Sequence, residues 1–181
     1  LGAILGDKLT AYGPNSTGVP LTKPMEAMKQ IYDIAGIFDR LESLKGVKEN
    51  FMKVAQTELV YRGFKTEEYE VIYNDIVDTS HNFCVYGRLN KKTFAIMRSG
   101  VSRLNNFIYG DRFREPQAQI AVAKASYIVS KLEKDEESLE LFNPEVDMKD
   151  WIISDHNYSA LNKLKKHNLE AFYYWYKTLE A

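Results

Sequence analysis

A single cysteine, Cys84, is the only sulfhydryl in this 181-residue chain. An internal disulfide is therefore excluded, and cysteine usage does not fix a redox compartment. Long hydrophobic runs are also missing. The apolar stretches are broken by Lys, Glu or Asp every few residues, well short of the roughly 18–20 residues of a membrane-spanning helix. There is no overall charge bias: the net charge is −1, so the whole chain carries no polyelectrolyte drive toward nucleic acid. No repeat and no low-complexity segment is visible. Strand patterns are poor as well. The short alternation around Val71 to Val77 fits a helical period at least as well.

Catalytic and metal motifs are equally scarce. Bundle di-iron sites use paired Glu-x-x-His with further Glu on facing helices. The three histidines, His81, His156 and His167, are preceded three residues earlier by Asp78, Ile153 and Leu164. Asp78, His81 and Cys84 do fall on one helical face, and three such groups could bind Zn²⁺ if a fourth came from elsewhere. The pattern equally describes a polar patch beside a small buried cysteine, and no metal or cofactor is expected. His81 with Cys84 would mimic a nucleophile–base pair, but no Gly-rich turn stands nearby to form an oxyanion hole. His167 and Glu170 read as a solvated i,i+3 pair. Gly2-x-x-x-Gly6 lacks the Lys-Ser/Thr tail and preceding strand of a phosphate loop and reads as a flexible terminus. A non-enzymatic protein is the expectation.

What the chain does have is length for one core, an ordinary 45% hydrophobic and 27% charged composition, and abundant helical periodicity. Residues 1–22 are punctuated by Gly2, Gly6, Gly13, Pro14, Gly18 and Pro20, with turn chemistry at Asn15-Ser16-Thr17. They read as an extended arm, and 23–181 as a single helical-bundle domain. Asn15-Ser16-Thr17 is also a formal glycosylation sequon, read here as loop. Pro24 opens a first helix carrying Met28, Ile31, Ala35, Phe38 and Leu41 to about Lys45. A second carries Val47, Phe51, Ala55 and Leu59, and a third runs from Thr66 through Ile72, Ile76 and Phe83. The cleanest period, Phe94, Met97, Val101, Leu104 and Ile108, predicts a fourth helix with Arg98 and Arg103 turned outward. A fifth begins near Pro116, with an acidic later part from Glu133 to Leu141. Asn143-Pro144-Glu145 predicts a short helix through Trp151, and a last helix is expected from Asp155 or His156 to Leu179. The expected fold is an all-α, up-and-down bundle of five or six helices.

Two features point toward function. Phe172, Tyr173, Tyr174, Trp175 and Tyr176 are consecutive, and five residues at 100° each sweep more than a full helical turn. Phe172, Trp175, Tyr176 and Leu179 share a stripe. Tyr173 and Tyr174 fall off it and are expected to be half exposed, as anchors on a partner. The second feature is local charge. From Arg88 to Arg114 the excess is +6, through Arg88, Lys91, Lys92, Arg98, Arg103, Arg112 and Arg114 against Asp111. From Glu133 to Asp150 it is −6. The two runs either neutralise each other within the fold or leave a basic docking face around Arg98, Arg103, Arg112 and Arg114 for an acidic partner, phosphate or anionic headgroups. Stacking on RNA would need exposed aromatics beside the cations. Phe107 and Tyr109 lie there, but are expected to pack or cap the helix end.

The expected role is a non-catalytic accessory subunit that docks onto other protein subunits of a larger complex, peripheral to a membrane rather than spanning it. Helical bundles with arms occur among extrinsic subunits of the oxygen-evolving photosystem, a fold-level analogy. A start at Leu1 rather than Met fits removal of a targeting peptide, and equally a chain trimmed to its ordered part. Together these suggest a photosynthetic or respiratory complex in an organelle: thylakoid lumen, stroma or mitochondrion. The alternatives are a viral or phage structural protein, and a nucleic-acid-binding helical module using the 88–114 face.

Overall fold

The computed structural model describes every residue except Asp111 and Ala181. Seven α-helices form: α1 (Gly2–Tyr12), α2 (Pro24–Phe38), α3 (Val47–Tyr61), α4 (Tyr69–Cys84), α5 (Lys91–Leu104), α6 (Glu115–Glu133) and α7 (Leu169–Leu179). A 3₁₀ segment, Ser159–Lys166, precedes α7, and no strand occurs among the described residues. The fold is an all-α bundle, with eight helical elements among the described residues rather than five or six. Its principal packed pairs are α1 with α3, α2 with α5, α4 with α6, and α6 with α7.

The expected N-terminal arm is a helix instead. Leu5, Leu9 and Tyr12 recur at helical spacing, and all three are buried in the common core. The glycines that suggested a flexible terminus are its contact points with α3. A Cβ on Gly6 would stand 2.7 Å from the Phe51 backbone nitrogen and 2.9 Å from the Val47 carbonyl oxygen, so only glycine lets the two backbones approach this closely. The following turn is fastened as well. Asp75 of α4 accepts hydrogen bonds from the Asn15 backbone N–H (2.8 Å), the Asn15 amide (2.7 Å) and the Ser16 hydroxyl (2.8 Å). Tyr12 and Ser80 share a hydroxyl–hydroxyl bond of 3.2 Å. Residues 1–22 thus share one core with the rest, and the boundary expected at residue 22 corresponds to a docked turn.

Helix α2 starts at Pro24 and buries Ala27, Met28, Ile31, Ile34 and Phe38. It stops at Phe38, and turns carry the chain to α3. Helix α5 buries the face its spacing predicts: Met97, Val101 and Leu104 are buried, Phe94 packs against the core, and Arg98 and Arg103 are exposed. The helix ends at Leu104, and Ile108 packs on the core from the turn beyond it. Asn90 caps it, accepting from the Thr93 N–H at 3.0 Å. Helix α6 is buried along most of its length and packs on α2, α4 and α7, as expected of a central helix with apolar residues on every side.

Two C-terminal expectations are corrected. Asn143-Pro144-Glu145 opens no helix; the Asn143 side chain accepts from the Glu145 N–H at 3.0 Å, a local turn. The single helix expected from about 155 to 179 is interrupted at Asn168. That side chain accepts from the Ala171 N–H at 3.4 Å and donates to the Pro116 carbonyl and to Gln119 Oε1, each at 3.0 Å. These tertiary partners start α7 afresh after the 3₁₀ segment.

Candidate functional site

The aromatic run is covered by its own chain. Tyr173 and Tyr174 are 4% and 1% exposed, so the half-exposed anchors expected from helical geometry are core residues. Their cover is the irregular segment after α6. Phe142 packs edge-on against Tyr173 at 5.5 Å, and Trp151 stacks on Tyr173 at 5.8 Å and on Tyr176 at 4.3 Å. The Phe142 N–H donates to the Tyr174 hydroxyl at 3.0 Å. On the other side Tyr174 meets Phe38 edge-to-face at 5.3 Å. Burial, then the Glu140 charge, push the Tyr173 hydroxyl up to about 12.

The metal-like spacing on α4 does not converge. Asp78 is exposed while Cys84 is enclosed. The Trp175 indole N–H donates to Cys84 Sγ at 3.2 Å, and burial pushes the thiol up to about 12. His81 lies against the rings of Tyr158 (4.6 Å) and Trp175 (6.0 Å), and burial lowers its pKa. Among the described residues, no group of three His, Cys, Asp or Glu side chains is placed to hold a metal ion. His167 and Glu170 part company: His167 Nε2 pairs with the Tyr86 hydroxyl at 3.0 Å, while Glu170 faces Lys124.

The charged runs also separate. In the acidic run, Asp135 pairs with Lys48, Glu136 with Lys131, and Glu140 with Lys177 at 2.7 Å. In the basic run, Arg98 pairs with Glu115 at 3.0 Å. Arg88, Lys91, Lys92, Arg103, Arg112 and Arg114 are exposed and make no ion pair with any described residue. Phe107 and Tyr109 do not cap the helix end. They are 68% and 102% exposed.

Sequence patterns gave little sign of a groove of about 820 Å³ between α1, α2 and α6. Its charges come as three cations, Lys8, Arg40 and Lys124, and three acids, Asp33, Asp39 and Glu170. Lys124 is 5% exposed at the side chain and reaches Asp39 at 2.6 Å and Glu170 at 3.0 Å. Its ammonium also lies over the Phe38 and Tyr174 rings at 5.5 and 5.6 Å. Lys8 pairs with Asp33 at 2.8 Å, and Lys29 approaches the same carboxylate at 3.5 Å. The rim is apolar: Leu1, Ile4 and Tyr32 are 59%, 51% and 40% exposed. One signal pointed here, a lone lysine within the otherwise apolar Ala121-Val122-Ala123-Lys124-Ala125 stretch of α6.

Comparison with family models, curated proteins and solved structures finds no match to this chain. No helix among the described residues is long and apolar enough to cross a membrane.

Proposed function

We propose that this protein is a non-catalytic accessory module of a larger protein assembly, docking on a polypeptide partner through the groove between α1, α2 and α6. The observation that carries this reading is the pairing of an apolar rim with a charge-balanced floor. Exposed Ile4 and Tyr32 offer contact area that costs little to desolvate. Lys8 holds Asp33, and Lys124 holds Asp39 and Glu170. With Arg40 the lining carries three charges of each sign, so the groove has no net charge to attract a phosphorylated or carboxylated small ligand. The non-catalytic part is supported by the occupancy of each reactive group: Cys84 is enclosed with a raised thiol pKa, Lys124 is tied to two carboxylates, and His81 sits among aromatic rings. A photosynthetic or respiratory setting rests on an extended arm, and residues 2–12 form the packed helix α1 instead.

The test is the rim. Ile4→Asp should leave helix content unchanged because the side chain is exposed. Tyr32 packs edge-on against Phe113 at 5.3 Å, so Tyr32→Asp is read only alongside an unchanged thermal melt. Each should weaken attachment to the native assembly by more than about 1 kcal/mol if it is an anchor. Amide exchange in α1 and α2 should slow in the assembly relative to the isolated chain. Unaltered attachment and unaltered exchange would refute the groove as the docking site.

A further inference from the structure

We propose a second binding surface, independent of the groove: the turn after α5, with the basic face leading into it, binds single-stranded nucleic acid. The turn is pinned at both ends. Leu104 and Phe113 are 5% exposed, and the Phe113 N–H donates to Asn105 Oδ1 at 3.0 Å. Between these anchors Phe107 and Tyr109 stand in solvent, and neither ring packs against another aromatic ring. Two unpacked aromatic rings on a pinned turn contribute nothing to the core, and their exposure is a cost to solubility that a bound partner would relieve.

The chemistry of that partner follows from the neighbours. Arg103, Arg112 and Arg114 flank the rings in sequence, with Asp111 the single acid of the run, and are exposed and without an acidic partner among the described residues. Arg88, Lys91 and Lys92 continue the positive charge to the far end of α5, a helix roughly 21 Å long for its 14 residues. Unpaired bases stack on flat rings while cations track the phosphates, which is how sequence-tolerant single-strand binding is built. An acidic stretch of protein would satisfy the cations, but its carboxylates offer the rings no flat surface to stack on, whereas every unpaired base does. A duplex would keep its bases out of their reach. The whole chain is nearly neutral, so binding rests on this face alone and should depend strongly on salt.

Fluorescence anisotropy with labelled 12-nucleotide single strands, titrated over salt, tests the proposal. Six phosphate-facing cations predict a log–log salt slope near −4, from about −0.7 per neutralised phosphate. Phe107→Ala and Tyr109→Ala should each weaken binding about fivefold or more with the slope unchanged. Tyr109→Leu, which keeps apolar area but loses the ring, should behave like Tyr109→Ala. Arg103→Gln/Arg112→Gln/Arg114→Gln should weaken binding and flatten the slope by about half. All these side chains are exposed, and unchanged thermal melts would establish that the variants fold. Absence of binding at about 50 mM salt would overturn the proposal. Ring variants that bind like the parent, or polyglutamate competing as well as the oligonucleotide at equal charge, would overturn it too. The latter two outcomes would make the surface a docking face for an acidic protein.

Discussion

Removing α1 should unfold this protein, although its sequence reads as a dispensable arm. Leu5 and Leu9 have no exposed surface and Tyr12 has 1%. Fully burying side chains of this size contributes about 1.5–3 kcal/mol each, so the three together contribute roughly 5–9 kcal/mol. A single domain is stable by only about 5–15 kcal/mol in total. The Asn15 and Ser16 bonds to Asp75 are lost in the same deletion, leaving a mostly buried carboxylate without three of its donors. A chain lacking residues 1–22 should therefore show no cooperative urea transition by far-UV circular dichroism. Leu9→Ala is the sharper perturbation because it changes neither charge nor length. It should cost about 2–5 kcal/mol, lowering the melting temperature by roughly 4–20 °C. Leu5→Ala should behave alike, and the double variant should depart from additivity, since the two side chains lie one turn apart on the same face. The urea m-value should stay constant across the single variants, which shows that the native state and not the denatured one has changed. A truncated chain that melts cooperatively close to the full-length temperature would refute the reasoning. So would a Leu9→Ala loss below about 0.5 kcal/mol, the range of an ordinary surface change.

Gly100→Ala should destabilise despite better helix propensity: its Cβ would lie 2.7 Å from the Pro24 carbonyl carbon. Overpacking of about 1–3 kcal/mol outweighs a propensity gain of at most about 1 kcal/mol, and a stabilised variant in chemical denaturation would contradict this. His81 should make stability fall with acid. Burial holds its folded pKa below the ordinary 6.5, so as pH drops through that value the unfolded chain takes up the proton first, and stability present above it is lost toward the folded pKa. Unfolding free energies at about pH 7.5 and 5.5 should therefore converge in His81→Gln relative to the parent; an identical pH difference in both proteins would refute the assignment. Cys84, enclosed and with its thiol pushed up to about 12, should resist maleimide in the native state and react promptly in denaturant, and native labelling at the rate of a free thiol would show that the pocket around Trp175 is open.

How far the sequence predicts this fold depends on whether a residue's partner is local. The stripe and the outward arginines of helix α5 were legible because they express one helical period, whereas its end at Leu104, before Ile108, was not. Helix α1 was not, because Gly2 and Gly6 act across the α1–α3 contact, and a glycine that admits a neighbouring backbone looks the same in sequence as one that breaks a helix. The interruption at Asn168 has the same origin. Its amide is held by Pro116 and Gln119, roughly fifty residues away, so periodicity alone ran the helix through it. The charge surplus at 88–114 was legible, but not the exposure of Phe107 and Tyr109, which depends on the chain turning away from the core after Leu104. The groove had almost no local signal, since its charges come from α1, α2, α6 and α7 and their neighbouring turn, with only Lys124 out of place in its own helix.

The aromatic run and the acidic run, which look unrelated in sequence, turn out to be one device, and this bears on where the protein binds. A helix with aromatic residues all round requires a second cover; Phe142 supplies it from within the acidic segment and Trp151 from the residue after it. Rings alone give such an irregular segment little directional hold, so its position depends on polar fastening. Lys177 provides part of it, donating to Glu140 at 2.7 Å while lying 5.9 Å from the Trp151 ring centre and 5.8 Å from that of Tyr173. The same hydrogen bond holds the Glu140 carboxyl below its ordinary pKa. Lys48 and Lys131 fasten Asp135 and Glu136 in the same way. Acids of the 133–150 run are thus engaged by lysines of α3, α6 and α7, none of which belongs to the basic run. Apart from Arg98, which Glu115 holds, the cations of the basic run are left without a counterweight among the described residues, although the chain as a whole is almost neutral. Any anionic partner should therefore meet the protein along α5 and its following turn, while the charge-balanced, apolar-rimmed groove is left to a polypeptide.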